Sequence, residues 1–125
     1  MKAEKDAALC RDFPLLYADR NLPMTHTCMC WGFECGDGWE HLIRGLSRKL
    51  EPLIAAYPEP RPRAVQVKQK YGTLCFYMSE ATDEMHKLIE VAERQSAHIC
   101  ESCGDYGTMR DGGWLRVLCN LCDKT

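Results

Sequence analysis

Apolar residues recur at three- and four-residue steps from Trp39 through Leu42, Ile43, Leu46, Leu50 and Leu53 to Ile54. That spacing predicts a helix from about Asp37 with one apolar face kept for about five turns. Asp37 followed by Glu40 has the reciprocal capping pattern of a helix start, and His41, Arg44, Lys49 and Glu51 fill the polar side. Pro52 weakens the last turn, and Pro58, Pro60 and Pro62 make a stiff connector that cannot be helical. Beyond it the period falls to two. Val65 and Val67 alternate with Gln66 and Lys68, and Leu74, Phe76 and Met78 with Cys75 and Tyr77, so residues 64–78 read as a hairpin turning over residues 69–73. Helical spacing returns at Met85, Leu88, Ile89, Ala92 and Ile99, after a Thr82-Asp83 start. At the other end, residues 3–18 open with a short helix around Ala7, Ala8 and Leu9. Pro14 bounds it, and Leu15, Leu16 and Tyr17 anchor it to the body.

The helical pattern runs straight into Cys100-Glu101-Ser102-Cys103, and Cys119-Asn120-Leu121-Cys122 follows fifteen residues later. Paired CxxC turns at this spacing are the usual sequence form of a four-thiolate zinc site, since each turn aims two sulfurs at one ion. Between them, Thr108 to Arg110, then Asp111-Gly112-Gly113, then Trp114 to Leu118 read as strand, turn and strand, which carries Cys119 back to the ion. The alternatives are two disulfides or four unrelated thiols. Four thiolates leave no coordination position for a substrate, so zinc at Cys100, Cys103, Cys119 and Cys122 is structural. The expected fold is α+β: a body of two helices and a β-hairpin over residues 1–99, with a zinc-ribbon-like hairpin over residues 100–125 packed on it or continuous with it.

Composition changes this picture little. At 125 residues, with 46% apolar and 27% charged, the chain has ordinary globular composition. Nine cysteines are an unusual and odd number, which suits reduced or metal-bound thiols better than a disulfide framework. No apolar run nears the roughly eighteen residues of a membrane span, and the first residues lack the apolar core of a signal peptide, so a cytoplasmic protein is expected. A net charge of −2 argues against a polybasic grip on nucleic acid but leaves room for a local basic face.

Three further groups carry candidate chemistry. His26, Cys28, Cys30 and Cys35, with His41 as a spare, supply enough ligands for a second metal, and on a strand the first three would share a face. The rival reading is small buried thiols beside a glycine-rich turn. Arg61, Arg63, Lys68 and Lys70, with Tyr71 beside them, and Arg110 and Arg116 in the zinc hairpin, form the best candidate surface for a nucleic acid or an acidic partner. A solvated sheet face is the alternative. For catalysis, only Cys35, Asp37, Glu40 and His41 come close together in sequence; a Cys-His-Asp triad or a metal-dependent nuclease would have to use them. A helix cap, a core tryptophan and glycines explain that cluster equally well.

The segment Cys28-Met29-Cys30-Trp31-Gly32-Phe33-Glu34-Cys35-Gly36-Asp37-Gly38-Trp39, the run from Val67 to Tyr77, and Gly113-Trp114-Leu115-Arg116 before the second CxxC resemble a group of small uncharacterised bacteriophage and prophage proteins over about three quarters of the chain. In that group the position of Cys75 is often basic, which weakens Cys75 as a ligand. The resemblance implies a phage accessory setting in the host cytoplasm and brings no activity. The expectation is a non-enzymatic zinc protein that binds a host protein, as an inhibitor of a defence or nucleic-acid-processing system. A direct DNA- or RNA-binding regulator is the close alternative.

Overall fold

A computed structural model, described over residues 1–124, shows an α+β protein with four α-helices and two sheets among those residues. Helix α1 spans Ala3–Asp12, α2 Glu40–Ala55, α3 Asp83–Ser96 and α4 Asn120–Asp123. Strands β1 (Phe33–Glu34), β2 (Arg63–Lys70) and β3 (Thr73–Ser79) form one sheet in that order, β1 parallel and β3 antiparallel to β2. Strands β4 (Thr108–Arg110) and β5 (Arg116–Leu118) form the second, an antiparallel pair.

Register assigns the faces of the first sheet. Val67 sits opposite Phe76 and beside Phe33, and all three are buried. Tyr17 meets this face edge-on, with ring centroids 4.9 Å from Phe33 and 6.4 Å from Phe76. The helices complete the core with Leu9, Ile43, Leu50, Ile54, Met85 and Ile89 around the fully buried Trp39. Truncating a side chain such as Trp39 to alanine costs about 3–5 kcal/mol in cores of this kind. Among the buried polar groups, Ser47 donates to the Ile43 carbonyl at 2.7 Å, so the Tyr17 hydroxyl, 2.7 Å away, is the donor in its bond to Ser47 Oγ. The opposite face is more open: Gln66, Lys68 and Lys70, none of them buried, alternate with Val67 and Gln69 and pair across with Tyr77, Cys75 and Thr73.

Several local expectations change. Asp37 does not cap α2; it opens a 3-10 turn, Asp37–Trp39, and its carboxylate accepts the Lys2 N–H at 2.7 Å. Glu40 likewise turns to Arg44, at 2.9 Å, rather than back to the helix start. Arg44 also reaches Asp12 at 2.8 Å and so joins the end of α1 to α2. Thr82 does cap α3, accepting the Met85 N–H at 3.3 Å. The β2–β3 turn is tighter than residues 69–73: only Tyr71 and Gly72 lie outside the strands, with φ of 53° and 93°. Two positive φ values make a hairpin turn whose twist matches the flanking strands. Residues 28–30 form no strand; Met29–Trp31 is a 3-10 turn.

Candidate metal centre

Each CxxC is held by backbone before any ion is considered. The Cys100 N–H donates to the Asp105 carbonyl at 2.7 Å, and the Gly104 N–H returns to the Cys100 carbonyl at 2.9 Å. Ile99 and Tyr106 form an isolated bridge beside them. The second knuckle is the start of α4: Cys119 occupies the cap position, and its sulfur accepts the Cys122 N–H at 3.4 Å. Arg110 on β4 fixes this end by donating to the Leu118 carbonyl at 3.2 and 3.0 Å and to Asn120 Oδ1 at 2.9 Å.

The result is a tight cluster. The sulfurs of Cys100, Cys103, Cys119 and Cys122 all lie within 4.8 Å of one another. Four metal–sulfur bonds of ~2.3 Å in a tetrahedron put sulfurs about 3.8 Å apart. Cys103 and Cys119 stand 3.7 Å apart, matching that spacing and far beyond the ~2.05 Å of a disulfide. Burial opposes ionisation of Cys100, but N–H groups of Cys119, Cys103 and Ser102 outweigh it and bring that thiol down to about 6. At Cys103 the Asp105 N–H favours the thiolate, yet burial and the three neighbouring sulfurs push the group up to about 12. One anion at this cluster therefore opposes the next, and a cation at its centre removes the conflict.

The cluster is fastened to the body through Glu101, the residue after the first ligand. The Gly38 N–H donates to the Glu101 carbonyl at 2.8 Å, and the Gly36 N–H to its carboxylate at 2.9 Å. Gln69 donates to the same carboxylate at 3.2 Å, and Trp39 Nε1 donates to the Ile99 carbonyl at 2.9 Å. Glu101 is 6% exposed. The contact leaves no room for side chains on the body side: a Cβ on Gly36 would meet the Glu101 carbonyl oxygen at 2.3 Å, and one on Gly38 the Cys100 carbonyl oxygen at 2.1 Å. Gly36 and Gly38 thus serve close packing against the metal knuckle, whereas Gly32 faces Asp6 and Arg20.

The second candidate ligand set does not assemble. Among the described residues, the four C-terminal cysteines are the one group of three or more metal-binding side chains whose ligand atoms gather closely enough to hold an ion. The 3-10 turn breaks the alternation that would have aligned His26, Cys28 and Cys30. Cys30 donates to the Thr27 carbonyl at 3.4 Å, Cys28 is exposed, and His26 borders a groove with Tyr77. Cys35 is buried, and that burial, with Glu101 nearby, pushes its thiol up to about 12. The His41 side chain is 98% exposed beside Glu40. Cys35, Asp37 and His41 therefore face different neighbours: the core, Lys2 and solvent.

The basic residues divide as well. Arg61 pairs with Glu59 at 2.8 Å and Arg63 with Asp19 at 3.2 Å, at the far end of β2 from Lys70. Arg110 braces the metal hairpin and meets Asp123 at 3.4 Å, and Arg116 lies 4.0 Å from Glu101. Lys68, Lys70 and Tyr71 remain together, and with Gln69 they form one wall of a cleft of ≈ 510 Å³ whose other wall is Gly113, Trp114 and Leu115 of the metal hairpin. Trp114, expected only as part of the hairpin, is the contact residue that spacing does not reveal; its place after a Gly-Gly pair is its one sequence signal, and it is exposed. No family model, curated protein or solved structure matches this chain.

Proposed function

We propose that this chain is a non-enzymatic recognition protein in which a structural zinc ion, held by Cys100, Cys103, Cys119 and Cys122, fixes the C-terminal hairpin against the body. The observation that carries the reading is the fit of four clustered sulfurs to one tetrahedral ion. A tetrahedral all-thiolate set selects zinc or an iron–sulfur centre, and the CxxC hairpin framing is that of structural zinc. Such a site does no chemistry on a substrate. Its contribution is folding free energy, which three-residue strands need because a lone hairpin is marginal in water.

The contact surface we assign is the cleft between the β2–β3 turn and the β4–β5 turn, because its second wall belongs to the hairpin that zinc would fix. The sequence resemblance supports a phage or prophage accessory setting, in which either a host protein or a nucleic acid would be the partner. The unpaired lysines and exposed rings of the cleft favour nucleic acid. Native mass spectrometry of reduced protein tests the metal reading: one zinc per chain is expected, lost in Cys103→Ser. A metal-free wild-type chain, or a Cys103→Ser variant with full zinc and unchanged thermal unfolding, would overturn it.

A further inference from the structure

Two clefts meet on the open face of the first sheet. One, of ≈ 660 Å³, is bordered by His26, Gln66, Lys68 and Tyr77; the other is the ≈ 510 Å³ cleft of Tyr71 and Trp114. Lys68 lines both, so the two clefts adjoin along the outer side of β2 and offer one track to a ligand that spans them. Lys68 and Lys70 have no ion-pair partner among the described residues, whereas Arg61, Arg63, Arg110 and Arg116 each face a carboxylate. Glu34, the register neighbour of Lys68 on β1, makes no ion pair with it, and no carboxylate lines the Tyr71–Trp114 cleft.

The aromatic residues of the track are held out to solvent. Tyr71 is 76% and Trp114 77% exposed, and Tyr77 is 39% exposed. Tyr71 is also strained. Its φ of 53° places a bulky aromatic residue in the left-handed region, at a turn position where Asn or Gly fits without cost. Strain of this kind is concentrated at functional sites. The neighbouring Lys70 ammonium lies 5.8 Å from the Tyr71 ring centroid, so charge and ring are offered together.

We propose that this track binds single-stranded nucleic acid, with bases stacked on Tyr71, Trp114 and Tyr77 and phosphates on Lys68 and Lys70. Stacking on aromatic faces beside a basic groove is the chemistry of single-strand recognition, and base pairs within a duplex do not offer their faces. From Gln66 to Tyr71 the strand extends about 17 Å, which covers about five stacked nucleotides at most. Rings and phosphates are shared by RNA and DNA, so both fit the track. The proposal rests on the zinc reading, since Trp114 belongs to the hairpin that the metal holds.

The test uses zinc-loaded full-length protein, its metal content measured first, and fluorescence anisotropy with labelled mixed-sequence twelve-nucleotide RNA, the DNA equivalent, and a duplex. Binding to at least one single strand, at least tenfold tighter than to the duplex, is expected. Tyr71→Asn removes the ring and suits the turn; it and Trp114→Ala should each weaken binding by about fivefold to a hundredfold. Lys68→Gln with Lys70→Gln should flatten the slope of log affinity against log salt by about 1.4. Arg61→Gln with Arg63→Gln should leave binding unchanged. Zinc-loaded protein that binds neither single strand, or binds with no loss in both aromatic variants, overturns this proposal while the zinc reading stands, and the face then belongs to a protein partner. Absence of zinc would instead strike the reading beneath it.

Discussion

Gly38→Ala tests how the metal knuckle is seated. The added Cβ would lie 2.1 Å from the Cys100 carbonyl oxygen and 2.6 Å from the Glu101 carbonyl carbon, both backbone atoms that no rotamer change can move aside. Relief requires residues 99–101 to shift off the body, which places three hydrogen bonds at risk. Those from the Gly38 N–H to Glu101 and from Trp39 Nε1 to Ile99 are worth about 1 kcal/mol each, and the one from the Gly36 N–H to the Glu101 carboxylate about 1.5–3 kcal/mol. Partial loss gives an expected destabilisation of about 3 kcal/mol, or roughly 10 °C in Tm for a chain of this size. Urea titration followed by tryptophan fluorescence reads it directly, because Trp39 is fully buried beside the contact. An unfolding free energy within about 0.5 kcal/mol of the parent would refute this seating.

Gly45→Ala is the control with the opposite sign: a Cβ there meets nothing within 4 Å, inside α2, so about 0.5–1 kcal/mol of added stability is expected in the same titration. Thr82→Ala removes the cap of α3 and should lower stability by about 1 kcal/mol, seen as a shifted midpoint with unchanged m-value. Alkylation of the zinc-loaded protein near pH 8, read by peptide mass spectrometry, should mark exposed Cys28 well ahead of Cys10 and Cys35. Burial is the leading cause that holds both of those thiols up at about 12, so their thiolate fraction at that pH is small. Equal labelling of the three would contradict their environments. In acid, the Arg44 cluster should weaken. Arg11 and Arg44 hydrogen bonds lower Asp12, and at Glu40 burial is outweighed by Arg44. Groups with lowered folded values stabilise above their unfolded range and lose that contribution as pH falls through the folded one. Arg44→Gln should therefore flatten the acid limb of a thermal-stability profile.

What the sequence made legible was whatever repeats or clusters locally. Helix α2 and the β2–β3 hairpin announce themselves by period, and the four cysteines by spacing. Strand β1 has two residues, too few for any period, and is defined by partners on β2 more than thirty positions away. Asp37 looked like a cap because the competing donor, the Lys2 N–H, stands 35 positions off in sequence. The basic run from Arg61 to Lys70 looked like one patch because the carboxylate that neutralises Arg63 sits at Asp19. The Tyr71-Gly72 turn was read too long because tyrosine is a poor guess for a left-handed position. For β1, Asp37 and Arg63 a distant partner outweighed a local preference.

Glu101 gives the fold a property that neither sheet has alone. Its backbone belongs to the metal knuckle, while its carboxylate is bound by Gly36 and Gln69 of the body. Loss of the ion therefore reaches the turn that seats Trp39, and loosening of that turn lowers affinity for the ion by the same free energy. A chelator should act on the whole chain as a denaturant. Residues 100–125, excised as a finger for transplantation, would leave behind the seat that organises their first ligand.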